Sequence, residues 1–225
     1  MDYGILKSCK LFEGMEEAQI VDICNIVDGK VLNAEKNTYI LKEGSETRYC
    51  GYLISGSAYT YQEDYSGGFR NVVSYVRPGC IFAGGASVLK MTYPLSVITR
   101  EDCVYFAFDA NKLLSANPST RPLNLIQFES NFITLLSRSI YILFDKISFL
   151  TQRTTRARLI AYLIHRSAEN KSKTFSIDFN RQQLADYLGV DRAAMTVVLT
   201  ELMNEGYLTY NKNDFSLTDK TFEEF

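Results

Sequence analysis

Asn180-Arg181-Gln182-Gln183-Leu184-Ala185-Asp186-Tyr187-Leu188-Gly189-Val190-Asp191-Arg192 places a helix start, a helix stop and a second helix start within thirteen residues. Asn180 followed by Gln183 is a capping box. The Asn side chain accepts from the amide three residues on, and the Gln side chain accepts from the Asn amide. Leu184, Ala185 and Leu188 give the first helix a buried face. Gly189 has the left-handed backbone freedom at which helices commonly end. Asp191 can cap a second helix, which buries Met195, Val198, Leu199 and Leu202 at i, i+3, i+4 and i+7. Gly206 closes it. Tyr207–Tyr210 and Phe215–Thr218, joined by Asn211-Lys212-Asn213-Asp214, then read as a hairpin. Each signal is weak alone. Capped helix, Gly turn, capped helix, Gly stop and hairpin, in that order, predict a winged helix-turn-helix.

Such a unit presents the N-terminal residues of its second helix to base edges in the major groove, while the first helix crosses the backbone. Arg192, at that N-terminus beside Asp191, can bridge O6 and N7 of guanine. Arg181, Gln182, Thr196 and Thr200 are the candidates for holding phosphates. The bland alternative for each is a solvated surface residue. The chain's net charge is −2, so it is not a protein that coats nucleic acid over its whole surface. Residues 151–212 differ: nine Lys and Arg against six Asp and Glu make them mildly basic.

Working outward, residues 118–150 carry few charges and two apolar stripes. One runs through Leu125, Phe128, Phe132, Leu135, Ser139, Ile142 and Phe149. The other runs through Ile126, Ile133, Leu136, Ile140, Leu143, Ile147 and Leu150. One stripe can bury against the protein's own body; two require a second partner, most simply another copy of the helix. The expected dimer contacts are Leu125, Phe128, Phe132, Leu135, Ser139 and Ile142. A single helix buried on all sides is the alternative. Upstream, short runs rich in Val, Ile, Tyr and Phe predict strands: Tyr39–Lys42, Tyr49–Ile54, Ala58–Gln62, Asn71–Val76, Leu95–Thr99 and Val104–Phe108. Turns such as Ser55-Gly56-Ser57, Ser66-Gly67-Gly68 and Arg77-Pro78-Gly79 separate them, as in a barrel or sandwich. Glu16–Val27 is an amphipathic helix. The domains expected are 1–118, 119–150 and 151–225, in a chain whose 46% hydrophobic content supports more than one core.

Five cysteines, odd in number, widely spaced and without a CxxC, argue against a disulfide framework or a zinc site and favour a reducing cytoplasm. No signal peptide is evident. The longest apolar region, Phe132–Phe144, is interrupted by Arg138 and is shorter than the roughly 20 residues a bilayer requires. No membrane association is expected.

The chain resembles the Crp/Fnr regulators over nearly its whole length. The matching segments are Leu11-Phe12-Glu13-Gly14-Met15, Lys42-Glu43-Gly44-Ser45, Tyr52-Leu53-Ile54-Ser55-Gly56-Ser57, Arg77-Pro78-Gly79-Cys80-Ile81-Phe82 and Gly189-Val190-Asp191-Arg192. The resemblance implies an α+β chain: a jelly-roll-like double-stranded β-roll, a long dimerising helix and a C-terminal winged helix-turn-helix. It implies a homodimer on a pseudo-palindromic site in double-stranded DNA, with RNA polymerase as a further partner. It also implies an effector in the roll that repositions the DNA-binding domains.

Departures from the family pattern narrow the effector. Cyclic-nucleotide binders of the family carry Gly-Glu after the equivalent of Phe82; this chain reads Phe82-Ala83-Gly84-Gly85 and lacks the carboxylate. They also carry an Arg for the phosphate where Tyr93-Pro94 stands. A buried phosphate without a cation is strongly disfavoured, so cyclic AMP is not the expected effector. Phe82, Gly84, Gly85, Ala86 and Tyr93 remain the candidate lining of an effector pocket. The glycines either form an anion nest or only permit a tight turn. Cys9 stands alone, unlike the clustered cysteines of the iron–sulfur members. The only histidine, His165, lies outside the roll, where haem-bearing members often place an axial ligand. No metal or cofactor is expected. One histidine is also too few for cupin-like metal catalysis or a triad, so an enzyme is not expected. A roll that serves only as a dimer scaffold is the rival to effector gating. On the second helix, family members often have Glu and a second Arg where Ala193 and Val197 stand. The target is therefore expected to differ from theirs, with Ala193 and Val197 able to meet thymine methyls.

Overall fold

The computed structural model describes residues 3–63, 70–115 and 121–224. The expected turn at Ser66-Gly67-Gly68 and the expected border at 118/119 lie outside the described residues. Tertiary contacts divide the chain into two units, Met1–Tyr141 and Ile142–Phe225.

The first unit opens with 3₁₀ turns at Gly4–Ser8 and Lys10–Phe12, followed by helix α1, Glu17–Ile26. A Glu16–Gln19 capping box starts α1. The roll is built from β1 (Lys30–Ala34), β2 (Tyr39–Leu41), β3 (Tyr49–Ser55), β4 (Ala58–Glu63), β5 (Arg70–Val76), β6 (Ile81–Phe82), β7 (Ser96–Thr99) and β8 (Cys103–Asp109). They form two antiparallel four-stranded sheets, ordered β1-β8-β3-β6 and β2-β7-β4-β5. Two short helices interrupt the strands and their exit, α2 (Gly84–Leu89) and α3 (Asn111–Leu114). All six expected strands are present within a residue or so; β1, β6 and α2 are additions.

Strand alternation sets what lies on each side of the first sheet. On β8, Phe106 and Phe108 face outward into a core shared with Leu6, Leu11, Phe12, Ile20 and Ile23. Tyr105 and Ala107 face the space between the sheets. Gly51 on β3 is required there: a Cβ would stand 2.0 Å from Cζ of Phe82.

Helix α4, Leu123–Leu150, begins in the first unit and continues into the second. Its opening turns complete the outer core of the roll. Leu125, Phe128, Phe132 and Leu135 are at most 5% exposed, and the Phe128 and Phe132 rings meet Phe108 edge-on at 5.4 and 5.3 Å. Asn131 fixes the register by donating to the carbonyls of Leu11 (3.1 Å) and Glu13 (2.9 Å). This corrects the expected dimer contacts. Those four residues are used within the chain, because their rings fit the Phe-rich outer face of β8. Ser139 is half-buried and its hydroxyl bonds the Leu135 carbonyl; Ile142 stays exposed. The other stripe is the open one: Ile126, Ile133, Ile140, Leu143 and Ile147 are all exposed.

The second unit contains the end of α4, then α5 (Thr155–Asn170), β9 (Thr174–Ser176), α6 (Arg181–Leu188), α7 (Arg192–Asn204), β10 (Leu208–Asn211), β11 (Asp214–Leu217) and α8 (Asp219–Glu224). The strands form one antiparallel sheet, ordered β10-β11-β9. Phe149, Tyr162, Phe179 and Tyr187 build an aromatic cluster where α4, α5 and α6 meet. Lys146 is buried at the cluster's edge, 8% exposed, with its ammonium 4.6 Å from the centre of the Tyr187 ring.

Burial lowers the Lys146 pKa from 10.5 to about 8, because the desolvated ammonium is penalised. The folded state therefore releases this proton before the unfolded chain does. Stability is expected to rise as pH increases from about 8 toward 10.5, where the unfolded state alone holds the proton. Melts across that window, with Lys146→Met as reference, check this. The variant should be the more stable at pH 7, and its advantage should shrink as pH rises.

Candidate nucleic-acid interface

The helix-turn-helix forms as the capping residues dictate. Asn180 Oδ1 accepts from the Gln183 amide at 2.9 Å, and Gln183 Oε1 accepts from the Asn180 amide at 2.9 Å. Gly189 sits at φ +61°, the left-handed conformation that ends α6. Arg158 of α5 donates to the Leu188 and Gly189 carbonyls at 3.1 and 3.0 Å, satisfying acceptors that the helix end leaves open. Asp191 Oδ1 then accepts from the Ala194 amide at 2.8 Å and starts α7. Met195, Leu199 and Leu202 are fully buried beneath α7.

Burial of that face leaves Arg192, Ala193, Thr196, Val197 and Thr200 exposed together on the other. A broad hollow runs along them. Arg192 makes no ion pair among the described residues, unlike Arg156 (with Glu205), Arg166 (with Glu169) and Lys173 (with Asp219). Its guanidinium is available to a ligand at the N-terminal end of the helix, where backbone N–H groups also favour anions. The wing is the β10–β11 hairpin, and exposed Lys212 occupies its two-residue turn.

Two expected phosphate contacts are differently placed. Arg181 folds onto the wing: it donates to the Lys212 carbonyl at 2.6 Å and lies 4.9 and 5.1 Å from the centres of the Tyr210 and Phe215 rings. Burial pulls its pKa down. It braces the hairpin instead of facing outward, which corrects the expectation. Gln182 is exposed, with its amide nitrogen donating to Asp186 at 2.8 Å.

Residues 31–116 match the family model described as a cyclic nucleotide-binding domain, and residues 157–221 match the Crp-like helix-turn-helix domain. The chain belongs to the Crp/Fnr family of transcription regulators. Three solved structures share the family fold. A CooA mutant from Carboxydothermus hydrogenoformans is 16% identical over 98% of this chain and 94% of its own, with a TM-score of 0.70. The c-di-GMP responsive global regulator CLP of Xanthomonas campestris is 19% identical over 90% and 99%, with a TM-score of 0.67. FixK2 from Bradyrhizobium japonicum is 16% identical over 87% and 96%, with a TM-score of 0.65. No curated protein sequence matches.

In this Crp/Fnr roll a cavity of about 330 Å³ lies between the sheets. Leu32, Ile40, Leu41, Tyr49, Phe82 and Tyr105 are among its lining residues. Of the five residues expected to line an effector pocket, only Phe82 reaches it. Gly84, Gly85 and Ala86 form the first turn of α2. A Cβ at Gly84 would stand 3.0 Å from Leu136 of α4, so this glycine permits close helix packing. Tyr93 packs into the core beside Phe82 and Ala83, and burial pushes its phenol up to about 12. Ala83, where the family pattern has Gly, still adopts φ +56°. The tight turn is thus kept without a glycine at this position. Among the described residues Lys30 is the sole cation lining the cavity, and it is paired with Asp28 at 3.5 Å. His165 bonds Asp145 at 3.2 Å on the surface of the second unit. Among the described residues no cluster could hold a metal ion, and no helix is long and apolar enough to cross a membrane.

Proposed function

We propose that this Crp/Fnr regulator is a homodimer that binds a pseudo-palindromic DNA site in a sequence-specific manner and is gated by a small effector other than cyclic AMP. The observation that carries the DNA reading is the α7 surface, where Arg192 stands unpaired at the N-terminal end of an exposed face. Selection of bound duplexes from a random pool tests it. A motif with two half-sites about 34 Å apart centre to centre is expected; no enrichment would contradict it.

The dimer reading is supported by the open stripe of α4. Exposed Ile126, Ile133, Ile140 and Ile147 repeat every seven residues, and of the leucines three positions further on Leu143 is exposed while Leu136 and Leu150 are half-buried. Ile at a with Leu at d is the pattern of parallel two-stranded coiled coils, which a twofold DNA site also requires.

The effector reading is supported by the apolar cavity of the roll, and the exclusion of cyclic AMP by its lack of a free cation. Cyclic AMP is expected to leave the melting temperature unchanged, since only a ligand that binds the native state raises it. A rise at millimolar cyclic AMP would overturn the exclusion. A metabolite panel that yields no stabilising compound would favour the scaffold role.

A further inference from the structure

We propose that the protein reads the interior of each half-site through thymine methyl groups, using an apolar ridge on α7. The inference rests on the DNA-binding reading above and names the base chemistry it selects.

The ridge is made of Ala193, Val197 and the methyl groups of Thr196 and Thr200. These positions are spaced i, i+3, i+4 and i+7, so they share one face of the helix. Val197 is 58% exposed at its centre. The two threonines do not make the face polar in the ordinary way. Thr196 donates its hydroxyl hydrogen to the Arg192 carbonyl at 2.8 Å, and Thr200 donates to the Thr196 carbonyl at 3.1 Å. Each hydroxyl therefore keeps only acceptor capacity toward a ligand. Phosphate oxygens are acceptors too, so these hydroxyls do not suit the phosphate-holding role expected from sequence.

The chemistry left on the face is narrow. Among the described residues Arg192 is the sole cation around the hollow, so one guanine per half-site is the most it can bridge with two bonds. Guanine edges offer only acceptors in the major groove, and nothing at 193, 196, 197 or 200 donates to them. A cytosine amino group can also meet a threonine oxygen, but cytosine brings no methyl to the ridge and its guanine partner offers only acceptors. A thymine offers a C5 methyl, and its paired adenine offers an N6 amino group that a threonine oxygen can accept. A·T pairs therefore complement the ridge, with a single G·C pair under Arg192.

The test uses the full chain and its selected duplex, in which each thymine is replaced in turn by deoxyuridine. That change deletes the methyl and keeps the base pairing. Each ridge-facing replacement is expected to weaken wild-type binding about fourfold, the usual worth of one buried carbon, and about fifteenfold when made in both half-sites. Val197→Ala, at an exposed position that leaves the fold intact, should bind the thymine duplex more weakly and lose sensitivity at one such position. Equal binding of all deoxyuridine duplexes by wild type would overturn the methyl readout while leaving DNA binding in place. An interior motif of G·C pairs would do the same. Absence of any selected duplex would overturn both readings.

Discussion

Replacing Ile133 by Asp is expected to split the proposed dimer and remove tight DNA binding while leaving each chain folded. Ile133 is 61% exposed in the single chain, so the substitution touches no core of its own. In a parallel coiled coil it occupies an a position, where the two copies face each other across the twofold axis. Two carboxylates would be brought together out of water, a cost of several kcal/mol that the remaining apolar contacts do not offset. A monomer engages one half-site only. The loss of linked binding is worth about 10²- to 10⁴-fold in affinity. Sedimentation should show a single chain, far-ultraviolet dichroism should be unchanged, and the selected duplex should no longer be retained. A dimeric Ile133→Asp protein would place the seam elsewhere.

Phe128→Ala, on the opposite stripe of the same helix, is expected to unfold instead of dissociate. Phe128 is fully buried, with ring centres 5.3 Å from Phe12 and 5.4 Å from Phe108. Truncating a Phe in such a position costs about 3–5 kcal/mol, from lost transfer energy and the cavity left behind. That is a large share of the stability of an ordinary domain. Denaturant unfolding should report the loss in the first unit, with the oligomeric state unchanged below the transition. The two substitutions lie five positions apart on one helix, yet one should act on assembly and the other on folding. Opposite results would reverse the assignment of the two faces.

That pairing shows what the sequence could and could not specify. Two apolar stripes on α4 were legible from spacing. Which of them faced the roll was not, because hydrophobicity alone does not distinguish a domain core from a subunit seam. Side-chain shape carries the answer: Phe128 and Phe132 match the Phe-rich outer face of β8, whereas Ile recurring every seven residues suits a helical partner. The helix-turn-helix was legible to the residue because caps are local chemistry, fixed by Asn180, Gln183, Gly189 and Asp191. Strand β1 was missed because Val31 and Leu32 of Lys30–Ala34 are adjacent instead of alternating, and the strand gains its order from pairing with β8. Helix α2 begins with two glycines, which no propensity marks as helical. Of the lining expected for an effector, only Phe82 reaches the cavity between the sheets, whose walls come from β1, β2, β3, β6 and β8; only the folded roll brings these together, whereas a linear motif points to neighbours in sequence. Arg181 reads as a phosphate ligand in a line of residues; only the wing's aromatic rings reveal its second use.

The decisive measurement is the affinity of wild type and Arg192→Ala for the selected duplex and for an unrelated duplex, over a range of salt concentrations. Among the described residues Arg192 makes no ion pair and its side chain caps no helix, so its removal should leave folding intact. Wild type should prefer the selected duplex, with affinity falling steeply as salt rises through the release of counterions. Arg192→Ala should lose about 1–3 kcal/mol on the selected duplex and relax the preference at one base pair in each half-site. Equal affinity of the two proteins for the selected duplex would contradict α7 as the DNA-reading helix.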